Sequence, residues 1–109
     1  MTIAQRALSA NLKQTIIDVP EWDAKVAVRE MNAEDRVRFG EDAKKWPAVA
    51  MVRLLIASTF DPETGKQVFE PAHQDQLLRQ SGSVVDRIVT EICRISGLTP
   101  DAAEAAEKN

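Results

Sequence analysis

Cysteine occurs once in the 109 residues, as Cys93, so no internal disulfide can form. A lone thiol fits a reducing compartment and points to the cytoplasm. Histidine also occurs once, as His73. Zinc sites draw on several Cys and His at characteristic spacings, so no metal site is expected. The glycines at 40, 65, 82 and 97 never cluster, which removes the phosphate-cradling loop of nucleotide binders. The longest apolar run, around residues 48–57, is interrupted by Arg53. It falls far short of the ~20 residues that span a bilayer. Met1-Thr2-Ile3-Ala4-Gln5-Arg6 lacks the basic-then-apolar layout of a signal peptide. A cationic excess is missing too, with 14 basic residues against 17 acidic ones and a formal charge of −3. Affinity for nucleic acid is dominated by phosphate neutralisation and counterion release, so no nucleic-acid partner is expected. The one adjacent basic pair, Lys44-Lys45, follows Glu41 and Asp42 and reads as solvated helix surface.

These absences also leave catalysis without a foothold. Cys93 lies beside the apolar stripe of an amphipathic segment, where a small semi-buried thiol is the usual occupant. His73 sits in a polar stretch with no partner for acid–base work. Asp61-Pro62-Glu63-Thr64-Gly65 lacks the alternating ligands and terminal Glu of a calcium loop and reads as a tight turn. The expectation is a protein with no catalytic residues, cofactor or metal, which acts by binding another protein.

What is present is ordinary material for one small core: 44% hydrophobic and 28% charged residues. Ile3, Ala4, Ala7, Leu8 and Leu12 form a weak helical stripe, so residues 1–15 are expected to be an N-terminal arm or weak helix. Ile17 and Val19, then Val26 and Val28, alternate with other residues about the turn-like Pro20-Glu21-Trp22-Asp23. This predicts a β-hairpin with Val26 and Val28 facing inward. Asn32-Ala33-Glu34-Asp35 is a helix start, with Asn32 as cap and acids where the dipole favours them. The stripe that follows is Ala33, Val37, Phe39 or Gly40, Ala43 and Trp46, and Pro47 ends or kinks the helix.

Residues 48–60 are ambiguous by pattern, and the turn chemistry of residues 61–65 favours a strand, returning through Val68 and Phe69 as a second hairpin. A short helix over residues 71–80 is anchored by Leu77 and Leu78. Ser83, with Asp86 at the capping-box position, then starts the strongest helix. Its stripe is Val85, Ile88, Val89, Ile92 and Ile95, and Gly97 is its expected end. Thr99-Pro100-Asp101 restarts a helix into an acidic, Ala/Glu-rich tail over residues 99–109. The fold class is therefore α+β: a small single domain, mostly helical, with one or two short hairpins and its globular part over residues 16–98. Trp22, in the hairpin turn, and Trp46, at a helix end, are the candidate partner-binding residues, because Trp is enriched at interface hot spots. The competing reading is that both cap a small core.

The order of these features resembles a known family. Val19-Pro20-Glu21-Trp22 followed by Lys25-Val26-Ala27-Val28-Arg29-Glu30-Met31 is similar to the opening of tail assembly chaperones of phages and prophages with long non-contractile tails (lambda-like siphophages). Arg53-Leu54-Leu55-Ile56-Ala57-Ser58, the Asp61, Gly65 and Phe69 turn, the helix over residues 84–96 and the ending Glu107-Lys108-Asn109 extend the likeness to residues 16–109. The resemblance implies a non-enzymatic chaperone that binds the tape-measure protein in the host cytoplasm and is absent from the mature virion. It also implies a frameshifted longer form that recruits the tail-tube protein. Glu107-Lys108-Asn109 is compatible with an A-AAA-AAC slip site. A homo-oligomer is compatible with the sequence, and no membrane partner is expected. A structural tail or connector component and a bacterial protein-binding adaptor remain open beside the chaperone.

Overall fold

The computed structural model describes residues 1–98, so the expected helix restart and acidic tail at residues 99–109 lie outside the described residues. A three-stranded antiparallel sheet in the order β1-β2-β3 carries five α-helices, an α+β arrangement. The first element, α1 (Ile3–Ser9), is started by a reciprocal capping box. The Gln5 N–H donates to Thr2 Oγ1 at 3.1 Å, and the Thr2 N–H donates to Gln5 Oε1 at 2.8 Å. None of its residues is buried, and Leu8 is 89% exposed.

The predicted hairpin forms as β1 (Gln14–Val19) and β2 (Ala24–Arg29), in register from Gln14 opposite Arg29 to Val19 opposite Ala24. Val26 and Val28 face the core, as their alternation requires. Asn32 caps α2 (Ala33–Lys45) by accepting from the Asp35 N–H at 2.7 Å. The inward face of α2 differs from the expected stripe. Val37 is 62% exposed, whereas Phe39 packs on the core and Asp42 is buried. The reason is tertiary: α2 lies along the next helix, where the Arg53 guanidinium pairs with Asp42 at 3.1 Å.

Residues 48–60 correct the expectation of a long strand. They form α3 (Pro47–Ser58) and only then a two-residue strand, β3 (Thr59–Phe60), which pairs with β2. Pro47 ends α2 and also begins α3, because its fixed φ and missing N–H suit the first helical position. Being apolar nearly all round is what a central helix needs. α3 packs against α2, α5 and α4 and buries Ala50, Val52, Leu54, Leu55, Ile56 and Ser58. The second hairpin shrinks to one bridge between Phe60 and Gln67. The Asp61 carboxylate accepts from the Glu63 N–H at 2.8 Å, and Gly65 takes φ 74, so the turn chemistry was real.

A 3₁₀ turn (Pro71–His73) leads into α4 (Gln74–Leu78), of which Leu77 is buried and Leu78 is not. The strongest helix is α5 (Gly82–Ile95), with Val84, Val85, Ile88, Val89 and Ile92 buried. It begins before Ser83, whose hydroxyl meets that of Ser81 at 3.0 Å, so the expected Ser83 cap is not made. At the other end Gly97, at φ 83, completes a Schellman motif. The Leu98 N–H donates to the Cys93 carbonyl at 2.8 Å, and the Gly97 N–H donates to that of Arg94 at 3.1 Å. Ser96 ties this end to the loop after β2, accepting the Met31 N–H at 2.9 Å, and its carbonyl accepts from Arg36. Helix α5 packs on the sheet and α3 packs on α5, and Val19, Val28, Leu55, Ile88 and Ile92 form the sealed centre.

Candidate functional site

Trp22 stands on a turn that the sequence makes rigid. Pro20 opens a 3₁₀ turn (Pro20–Trp22), and Asp23 closes it in the left-handed region at φ 49, which Asp tolerates better than most residues. The Asp23 N–H donates to the Pro20 carbonyl at 3.0 Å. Between them, the Glu21 carboxylate takes both arms of the Arg87 guanidinium on α5, at 2.6 and 3.1 Å. The turn is thus fastened to the strongest helix, and the Trp22 indole projects from a fixed base.

The indole does not stand alone. Phe69 meets it edge-on, with ring centroids 5.6 Å apart at 76°, and His73 meets Phe69 in turn at 6.1 Å. His73 Nδ1 accepts the Glu70 N–H at 2.9 Å, which orients the ring. With Val26 and Leu77 these aromatics floor a groove of about 740 Å³, and Gln76, Arg79 and Gln80 line it from α4 and the residues just beyond. Sequence reasoning picked Trp22 but missed Phe69 as its companion, since Val68 and Phe69 read as a return strand. No local pattern joins residues so far apart.

Trp46 is placed differently. It is the single residue between α2 and α3, 53% exposed, with the Lys45 ammonium 5.8 Å from its ring centroid. It lines neither the Trp22 groove nor the cleft between α2 and α3. That cleft, about 670 Å³, has balanced charge, from Asp35 and Asp42 to Arg38 and Arg53. Arg53 pairs with Asp42 and also donates to Gln74 Oε1 at 3.1 Å. These contacts tie α2, α3 and α4 together.

Cys93 is half-buried on α5, and burial pushes its thiol pKa up, opposed by the Arg36 charge. It keeps its proton at neutral pH and is a poor nucleophile. Among the described residues no cluster of His, Cys, Asp and Glu is arranged to hold a metal, and no helix is long and apolar enough to cross a membrane.

The Glu21–Arg87 clamp makes a pH prediction. The paired hydrogen bond from Arg87, with help from a backbone N–H, holds the Glu21 carboxyl below its ordinary value of 4.5. A carboxyl depressed in the folded state contributes in full above that value and is lost as the pH falls through the lower, folded one. In the Trp46→Phe background the emission of Trp22 is therefore expected to change on acidification below pH 4.5, and adding Glu21→Gln is expected to remove that step. Coincident titration curves for the two proteins would sink the idea. The pair is solvent-exposed, so overall stability is expected to change little.

Comparison with known proteins gives this arrangement a setting. No curated protein matches the sequence. The solved structure of the bacteriophage HK97 tail assembly chaperone matches with a TM-score of 0.67 and 27% sequence identity, covering 90% of this chain and 93% of that one. A family model described as phage tail assembly chaperone matches residues 3–108. With nearly the whole length matched and the α+β fold shared, the chain belongs to the phage tail assembly chaperone family.

Proposed function

We propose that this chain binds the tape-measure protein of a long-tailed phage and keeps it soluble while the tail tube assembles, without catalysing a reaction. The observation that carries the reading is family membership across residues 3–108. The physical chemistry is consistent with it. A long helical protein with uncovered apolar stripes aggregates, and a small domain that covers them prevents this. An open groove floored by packed aromatics is a suitable surface for such a helix. On this reading the chaperone works in the host cytoplasm and leaves the assembly before the virion is complete. A frameshifted longer form brings in the tail-tube protein.

Co-expression tests it. The tape-measure protein of the same phage is expressed with and without this chain, and the soluble fraction is measured. The expected result is a mostly insoluble tape measure alone and a soluble one in the presence of the chain. Equal solubility in both would overturn the proposal. Mass spectrometry of purified virions separates the structural-component reading, which requires the chain to remain in the particle.

A further inference from the structure

The groove beside Trp22 has a charge character unlike the chain that carries it. The protein has 17 acidic against 14 basic residues, yet none of the side chains lining the groove is a carboxylate, and Arg79 is its one full cation. The polar lining is also one-sided. Apart from His73 it comes from Gln76, Arg79 and Gln80 on α4 and just beyond, while the rest is apolar. The groove is open rather than enclosed, so an extended element suits it better than a small ligand.

We infer that this groove seats one face of a partner α-helix: an apolar ridge at three-and-four spacing, with carboxylates on the flank that faces Arg79. The inference rests on the tape-measure reading and adds to it the chemistry of the recognised segment. The ridge packs on Trp22, Phe69, Val26 and Leu77, which are already held in place by the core and by the Glu21–Arg87 clamp. The acidic flank meets Arg79, where a basic one would be repelled, so the charge favours one stripe over another. Trp46, beside Lys45, lines neither this groove nor the cleft between α2 and α3.

The full chain carrying Trp46→Phe leaves Trp22 as the only indole, and its emission reports occupancy. The probes are two synthetic helical peptides of about twenty residues with the same leucine ridge, flanked by Glu in one and by Lys in the other. The Glu-flanked peptide is expected to bind about fivefold more tightly at low salt, with the difference shrinking as salt is added. Arg79→Glu, an exposed change that leaves the fold alone, is expected to reverse the order of the two peptides. Gln76→Trp, also exposed, is expected to fill the groove and weaken both.

Equal binding of the two peptides, an order that survives Arg79→Glu, or no binding by either overturns the inference. Trp22 emission that depends on protein concentration without peptide names a second copy as the occupant and overturns it too. So does a change in emission on removal of residues 99–109, which names the chain's own acidic end. The same variants in co-expression separate the role of the groove from the chaperone function. A tape measure kept soluble by wild type and equally by Gln76→Trp removes the groove and leaves the chaperone reading standing. A tape measure that wild type does not keep soluble removes the chaperone reading itself, whatever the peptides do.

Discussion

Leu55→Ala is expected to cost about 2–5 kcal/mol of folding stability, the range for a leucine truncated in a sealed core. Leu55 has 0% of its surface exposed and sits in the second half of α3, the helix that touches α2, α4 and α5. Truncation removes the buried methyl groups, and little can move in to fill the space, because the surrounding core is fixed by its own packing. A domain of this size has a total stability of roughly 5–15 kcal/mol, so the loss is a large share of it. The melting temperature is expected to fall by roughly 10 °C or more. Urea unfolding followed by circular dichroism measures it, with the slope unchanged and the midpoint lowered. Val37→Ala is the control: 62% exposed on α2, it is expected to change stability by no more than about 0.5 kcal/mol. A Leu55→Ala loss no larger than that of Val37→Ala would mean that α3 is not the centre of the core.

That contrast also marks what the sequence could and could not disclose. Where a structure is decided within a few residues, the expectation mostly holds, the unmade Ser83 cap being an exception. Asn32 caps α2, Gly97 closes α5 in a Schellman motif, and the alternation around Pro20 makes the hairpin. Each depends on backbone groups satisfied by near neighbours. Where burial on several sides decides, local pattern fails. Residues 48–60 are apolar on every face, and a strand buried on both faces and a helix buried all round leave the same signature. The deciding hint was Pro47, which suits a first helical position as well as it ends the previous helix. Val37 and Asp42 show the same limit from the other side. The face of α2 is set by Arg53 and α3, so the apolar residue is turned out and the charged one in. The candidate site divides along the same line. Trp22 is a candidate from the sequence because it is a large aromatic in a tight turn, whereas Phe69, Leu77 and Arg79 line the same groove only through the fold.

Thr59→Val is expected to stabilise the protein, by about 1 kcal/mol. Thr59 is 0% exposed in β3, and its hydroxyl has no hydrogen-bond partner among the described residues. A hydroxyl taken out of water without replacement costs about 1–3 kcal/mol, and a methyl group of similar shape has no such cost. Nothing else at the position opposes the change. Both side chains are β-branched and suit a strand. The Thr59 carbonyl, which accepts the Val68 N–H at 3.2 Å, belongs to the backbone and is kept. Thr59→Ser makes the complementary change, retaining the hydroxyl and deleting the methyl group, and is expected to destabilise by about 0.8 kcal/mol for the lost buried carbon. The two variants should therefore move the urea midpoint in opposite directions from wild type. If valine lowers the midpoint as serine does, the hydroxyl is being satisfied in solution, and the junction between α3 and β3 holds a polar contact that stabilises it. If valine raises it, the short strand after the central helix carries an uncompensated polar group, and its position against Val28 is held by packing and backbone pairing without help from the hydroxyl.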